Sequence, residues 1–176
     1  RVSFDPSNAL RALSSKLPTA KFALEGVDGQ FYSTERFQDS SFGIEAVGVD
    51  LQELSEMPAV RLVVYSATDA PGDFAQAIEQ AGLHGVAYSV GWSSWLDVAA
   101  NGVSKASALE QIRKQLDVDP AHTVAMGDGR NDIEMLQWAA RGVAMGQAPD
   151  EVEQVAREVT GSVYDDGAAA ILRTLL

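Results

Sequence analysis

Two aspartates four positions apart, Asp128 and Asp132, stand in the stretch VAMGDGRNDIEML (124–136), where an apolar run gives way to a helical pattern. Glycines on both sides of Asp128 permit tight backbone geometry and close approach of a ligand. Carboxylate oxygens are the donors a hard cation such as Mg²⁺ prefers, and Mg²⁺ commonly shares them with substrate phosphates. Two carboxylates converging on one point would therefore make a magnesium site. A plainer use exists for the same residues. Asn and Asp cap helices, Asp in a first turn suits the helix dipole, and Asp-Gly is common turn chemistry. An EF-hand loop fits poorly, because the acidic positions and the closing Glu miss the required spacing.

A second feature is GVSKASALEQI (102–112). Helical spacing predicts a buried face of Leu109, Ile112 and Leu116, with Ser104 as the N-cap. Lys105 then lies in the first turn, the end of the dipole that disfavours a cation. Such a lysine calls for an anionic partner, and a carboxylate or a ligand phosphate would serve. The alternative is a solvated surface lysine.

These residues need a scaffold, and the chain is long enough to build one. At 176 residues it can form one good core or two small domains, and 46% hydrophobic with 22% charged residues is ordinary for a folded chain. A net charge of −12 argues against a nucleic-acid or anionic-membrane surface, because both need clustered Lys and Arg. No apolar run is long enough to span a membrane. The absence of cysteine rules out disulfides and thiolate metal sites and suits a reducing, cytoplasmic setting. The chain opens Arg-Val-Ser-Phe and runs almost at once into a helix, as though the start of a longer protein were missing.

Leu10, Leu13 and Leu17 predict a first helix closed by Pro18. KFALEGV and QFYSTERF then predict a hairpin across Asp28-Gly29 with a two-residue type I′ turn. A short helix at 50–57 is capped by Asp50 and presents Leu51, Leu54 and Met57. VRLVVYSA (60–67) predicts a buried strand, Phe74, Ala77, Ile78 and Ala81 a helix ended by Gly82, and 85–90 with 94–99 a second hairpin. This succession is an α+β layer with helices on one face of a sheet. Beyond Ala99-Gly102 helices and short strands alternate singly: a helix at 104–116, a strand at 122–126, a helix at 131–140, a strand near 142–145, a helix at 150–159 and a last helix at 168–175. Such alternation predicts a parallel sheet, which places ligands at the carboxyl ends of its strands, where Asp128 falls.

GVSK followed by GDGRNDIEML resembles the haloacid dehalogenase-like (HAD) phosphohydrolases, in particular the Cof-type branch, and RGVAMGQAPDEVEQVAREVTGSVYDDGAAAIL resembles that family's closing strand and helices. The resemblance implies an α/β fold: a partial HAD-type Rossmann-like parallel-sheet core, with residues 1–99 as an inserted α+β cap and 100–176 as the C-terminal half of the core. It implies Asp128 as a direct Mg²⁺ ligand and Asp132 as support for the metal shell, directly or through water. Asn131 would contact the phosphoryl group or substrate. Lys105 would pair with the nucleophile carboxylate and the transferring phosphate, as catalytic and substrate-binding residue. The activity implied is Mg²⁺-dependent hydrolysis of a small phosphorylated metabolite, such as a sugar phosphate, through a phosphoaspartate. A cap closing over the substrate brings Trp92, Ser93, Ser94 and Trp95 within consideration as substrate contacts, packing being their other use. A phosphomutase uses the same motifs.

Three departures qualify the resemblance. The family's nucleophile and general acid/base come from Asp-x-Asp at the end of a first core strand ahead of the cap, and nothing here supplies that strand. Val47-Gly48-Val49-Asp50-Leu51-Gln52 starts correctly but lacks the second Asp, and Tyr164-Asp165-Asp166-Gly167 has no strand before it. The hydroxyl motif is missing too, and Gln147 stands where the family commonly has Asn. The expectation is a chain inactive by itself, with its nucleophile upstream. Its exposed sheet edge and apolar surface are expected to lead to aggregation, a homodimer, or retention of a cleaved N-terminal fragment. The competing reading is a degenerate, non-catalytic HAD-like binding module.

Overall fold

Apolar side chains at alternate strand positions organise residues 1–102. The computed structural model describes residues 1–34, 46–91 and 93–176, and these form two units, Arg1–Gly102 and Val103–Leu176. The first unit runs α1 (Ser7–Lys16), β1 (Lys21–Gly26), β2 (Phe31–Ser33), β3 (Val47–Gly48), α2 (Leu51–Glu56), β4 (Ala59–Tyr65), α3 (Pro71–Ala81), β5 (Val86–Val90) and β6 (Trp95–Ala100). Its sheet has the order β3-β2-β1-β4-β6-β5 and is antiparallel except between β2 and β3. Phe22, Leu24, Leu62, Val64, Leu96 and Val98 project from one face into a core completed by helical side chains, among them Leu10, Leu13, Leu54, Phe74 and Ile78. Burying each of the larger ones stabilises the fold by about 1.5–3 kcal/mol.

The first hairpin departs from the expected two-residue turn. Only Gly29 of the central residues has positive φ, at 83°, whereas a type I′ turn needs two such residues. Gly26 N–H donates to Gln30 O (2.9 Å) and Gly29 N–H to Gly26 O (3.0 Å), so the loop is the three residues Val27–Gly29. The Asp28 carboxylate accepts from Gln30 N–H and the Tyr32 hydroxyl, which favours this wider loop and holds that carboxyl below its ordinary range. Leu51 is exposed rather than packed beside Leu54. The continuation of the second hairpin strand through 35–37 and the side chain of Trp92 lie outside the described residues.

The second unit runs α4 (Lys105–Gln115), β7 (Val124–Gly127), α5 (Ile133–Trp138), β8 (Arg141–Ala144), α6 (Asp150–Glu153), β9 (Glu158–Val159) and α7 (Gly167–Arg173). β7, β8 and β9 form a parallel sheet in that order. Its core is small: Ala125, Leu136, Ala139, Ala144 and Val152. Two expectations fail here. The periodic face of α4 is not buried, with Ile112 50% and Leu116 69% exposed. The helix anticipated over 150–159 stops at Glu153, and Glu158–Val159 instead joins the sheet. Arg157 N–H donates to Gly142 O and Thr160 N–H to Ala144 O, so the open edge of β8 overrides the helical spacing of Val152, Val155, Ala156 and Val159. Among the described residues no helix is long and apolar enough to cross a membrane.

Candidate active site

β7 ends at Gly127, and Asp128 is the next residue, at the carboxyl end of a parallel strand. A short 3₁₀ turn, Arg130–Asp132, leads into α5. The turn folds back because the Asp132 carboxylate reaches the start of the loop: its Oδ2 accepts from the N–H groups of Asp128 (3.1 Å) and Gly129 (3.0 Å). Gly127 makes this approach sterically feasible, since a Cβ there would lie 2.5 Å from the Asp132 Cβ. Asp132 is 5% exposed, so its charge needs partners.

The third partner is Lys105. Ser104 caps α4 in a reciprocal box with Ser107, which fixes Lys105 as the first helical residue. Its Nζ donates to Asp132 Oδ1 in a short charge-assisted contact while half of the side chain stays exposed. The cation at the unfavourable end of α4 thus finds a carboxylate from a turn 27 residues away. Both Asp132 oxygens are engaged, which makes this residue the organiser of the turn and of Lys105.

Asp128 is half-buried, and its surroundings differ. Its Oδ2 accepts from Gln147 Nε2 at 2.9 Å, and its Oδ1 takes no hydrogen bond from a described residue. Arg130 bonds Glu151 at 2.5 Å, tying the loop to α6. Asn131 is exposed on the same turn and makes no side-chain hydrogen bond to a described residue. Lys105, Asp128 and Asp132 are brought together, and Asn131 stands beside them without joining the network.

Gln147 and Arg130 are the residues that sequence reasoning passed over as structural partners. Gln147 lies just beyond β8, the strand beside β7, so strand adjacency was the usable signal. Asp117-Val118-Asp119 has the literal Asp-x-Asp spacing, but it follows α4 rather than a strand, and Asp119 caps the turn Pro120–His122. Asp165 and Asp166 lie at the 3₁₀ turn Val163–Asp165, and β3 is a two-residue strand with an exposed Val47. Ser94 is buried and donates to Asp69 O at 2.6 Å. Trp95 donates to Asp97 at 3.0 Å and packs tilted against Tyr65.

The donor set suits a hard cation in one respect: among the described residues one carboxylate oxygen of Asp128 has no hydrogen-bond donor. Among the described residues no three His, Cys, Asp or Glu gather as an all-protein cage. Mg²⁺ fits that sparse set, because it retains waters and is commonly held by one or two carboxylates plus substrate phosphate.

Comparison with known proteins gives the family. Residues 15–172 match the model of haloacid dehalogenase-like hydrolases. The chain belongs to that family. A stretch of this HAD-like chain is 40% identical over 78 residues to the 5-amino-6-(5-phospho-D-ribitylamino)uracil phosphatase YcsE of Bacillus subtilis, covering 44% of the chain and 31% of that protein. It is 36% identical over 80 residues to phosphatase YwpJ of Bacillus subtilis, covering 46% and 28%. Among solved structures, the HAD subclass IIB sugar phosphatase BT4131 superposes with a TM-score of 0.77 at 20% identity, covering 97% of the chain and 66% of that structure. BT1666 from Bacteroides thetaiotaomicron gives 0.71 at 27% identity, covering 99% and 66%. The matches thus span about a third or less of these curated relatives and 66% of each solved relative.

Proposed function

We propose that this HAD-like chain is part of a Mg²⁺-dependent phosphoric monoester hydrolase of the cytoplasm, acting on a small phosphorylated metabolite of the sugar-phosphate class. Residues 1–99 act as its cap and 100–176 as the C-terminal half of its core. The observation that carries this reading is the linkage of Lys105, Asp132 and Asp128 at the carboxyl end of β7. Asp128 would hold the cation through its uncommitted oxygen, and Asp132 would keep Asp128 and Lys105 in place. Lys105, half exposed, would set a positive charge against the transferring phosphoryl group. Asn131, exposed on the same turn, would reach the substrate. Bound Mg²⁺ supplies charge neutralisation at the phosphoryl oxygens. The nucleophilic aspartate, which would form the phosphoaspartate, is assigned to residues beyond these 176.

The competing reading, a binding module without chemistry, draws on one fact: among the described residues no three His, Cys, Asp or Glu gather around a common point. Phosphate release separates the two. The full-length protein should release phosphate from an aryl phosphate with Mg²⁺, and Asp128→Ala should abolish that release. Full activity in the variant would remove Asp128 from the cation site, and an inactive wild type would favour the binding module.

A further inference from the structure

Three neighbouring parallel strands end together, and one side chain joins the segments that leave them. Asp128 comes directly after β7, Gln147 stands three residues beyond β8, and the segment 160–163 continues from β9. Gly146 N–H donates to Gly161 O at 3.2 Å, and a Cβ on Gly146 would lie 2.8 Å from Thr160 O, so only glycine lets these segments touch. That contact brings the Gln147 side chain beside both. Its Nε2 donates to Asp128 Oδ2 (2.9 Å), and its Oε1 accepts from Val163 N–H (2.9 Å). The partners dictate the orientation of the amide. A carboxylate only accepts and a backbone N–H only donates, so the oxygen must face Val163 and the NH₂ must face Asp128.

We infer that Gln147 is a positioning residue for Asp128: anchored by Val163, it occupies Oδ2 and leaves Oδ1 as the oxygen offered to a divalent cation. The inference rests on Asp128 being a cation ligand, as proposed above. It also gives Gln147 a use other than substrate contact. Both polar ends of its amide are spent within the fold, and a side chain one methylene shorter would have to give up one of them. Partners that orient a metal-binding carboxylate are commonly worth ten- to hundred-fold in metal affinity.

The test is a Mg²⁺ binding isotherm on the full-length protein, its Gln147→Met and Val163→Pro variants, and Asp128→Ala. Gln147→Met preserves length and removes both hydrogen bonds. Val163→Pro removes only the anchoring N–H, at a first turn position preceded by extended Ser162, where proline is tolerated. Gln147→Met is expected to weaken Mg²⁺ binding by about ten-fold or more, Val163→Pro by less, and Asp128→Ala to lose it. If Asp128→Ala binds Mg²⁺ as the wild type does, the site reading itself fails. If Asp128→Ala loses binding while folded Gln147→Met stays within about two-fold of wild type, against the ten-fold expectation, the cation site stands and this inference is overturned. Wild-type NMR gives a measurement free of any folding defect. The Gln147 side-chain amide resonances should shift as Mg²⁺ fills the site, and resonances that stay fixed at saturation contradict the inference.

Discussion

In residues 1–102, strand side chains at alternate positions meet helical ones in a continuous core containing Phe74, Leu10, Leu13, Leu62 and Ile78, each no more than 1% exposed. In residues 103–176 the core is smaller, formed by Leu136, Val152 and three alanines with Val143, Met145 and Ile171 also buried, while Ile112, Leu116, Leu172 and Leu175 are half exposed or more. Polar clamps accompany this smaller core. Glu110 bonds both Arg113 and the indole of Trp138, joining α4 to α5, and Asp132 binds Lys105 and its own loop. The first unit rests on one continuous apolar core, and the second combines a smaller apolar core with hydrogen bonds and ion pairs around the candidate site. Directional bonds fix side chains more narrowly than apolar contacts do, which suits the half that carries the proposed cation site.

That contrast can be broken by substitution. Phe74→Ala should destabilise the first unit by about 3–5 kcal/mol, read by denaturant unfolding of a variant in which Trp138 is replaced, so that tryptophan fluorescence reports only this unit. A loss below about 1 kcal/mol, far under the usual cost of emptying such a site, would mean that its core is not the main source of stability. Asp132→Ala should cost the second unit about 2–3 kcal/mol by stranding Lys105 and two N–H groups, tracked through Trp138 fluorescence in a background with Trp92 and Trp95 replaced.

Glu110 offers a pH test. Hydrogen bonds from Arg113 and then Trp138 hold its carboxyl well below the usual carboxylate range. A depressed folded value means that its contribution is present above the ordinary carboxylate pKa and is lost as pH falls through the folded one. Wild type should therefore lose more stability than Glu110→Gln on acidification below the carboxylate range. Parallel melting curves for the two would assign the clamp no role. Smallest of all, Ile112→Ser should change the stability of the 176-residue chain by no more than about 0.5 kcal/mol, as befits an exposed position. A larger loss would show that α4 has a buried apolar face.

Local interactions were legible in the sequence, and long-range ones were not. The unbroken apolar run in VRLVVYSA and the helical spacing of Leu10, Leu13 and Leu17 report burial directly, so a central strand and a covering helix were readable. α4 shows the limit: Leu109, Ile112 and Leu116 have the spacing of a buried face, but spacing cannot say whether anything covers it. β9 shows another, because Glu158–Val159 is a strand only through the edge that β8 offers. The residue types at 105, 128 and 132 suggested chemistry, yet the double use of the Asp132 carboxylate depends on the close approach at Gly127. The bond from Gln147 to Asp128 spans 19 residues and exists because two parallel strands end side by side.

The central claim, that the turn after β7 is a cation site, is tested most directly by locating the cation. Mn²⁺ in place of Mg²⁺, added to isotopically labelled full-length protein, broadens the amide resonances of its nearest residues. Broadening is expected to begin at Gly127–Asp132 and the Gln147 side chain, and to vanish in Asp128→Ala. Broadening centred instead on the acidic Asp150–Glu153 segment, unchanged in that variant, would contradict the claim.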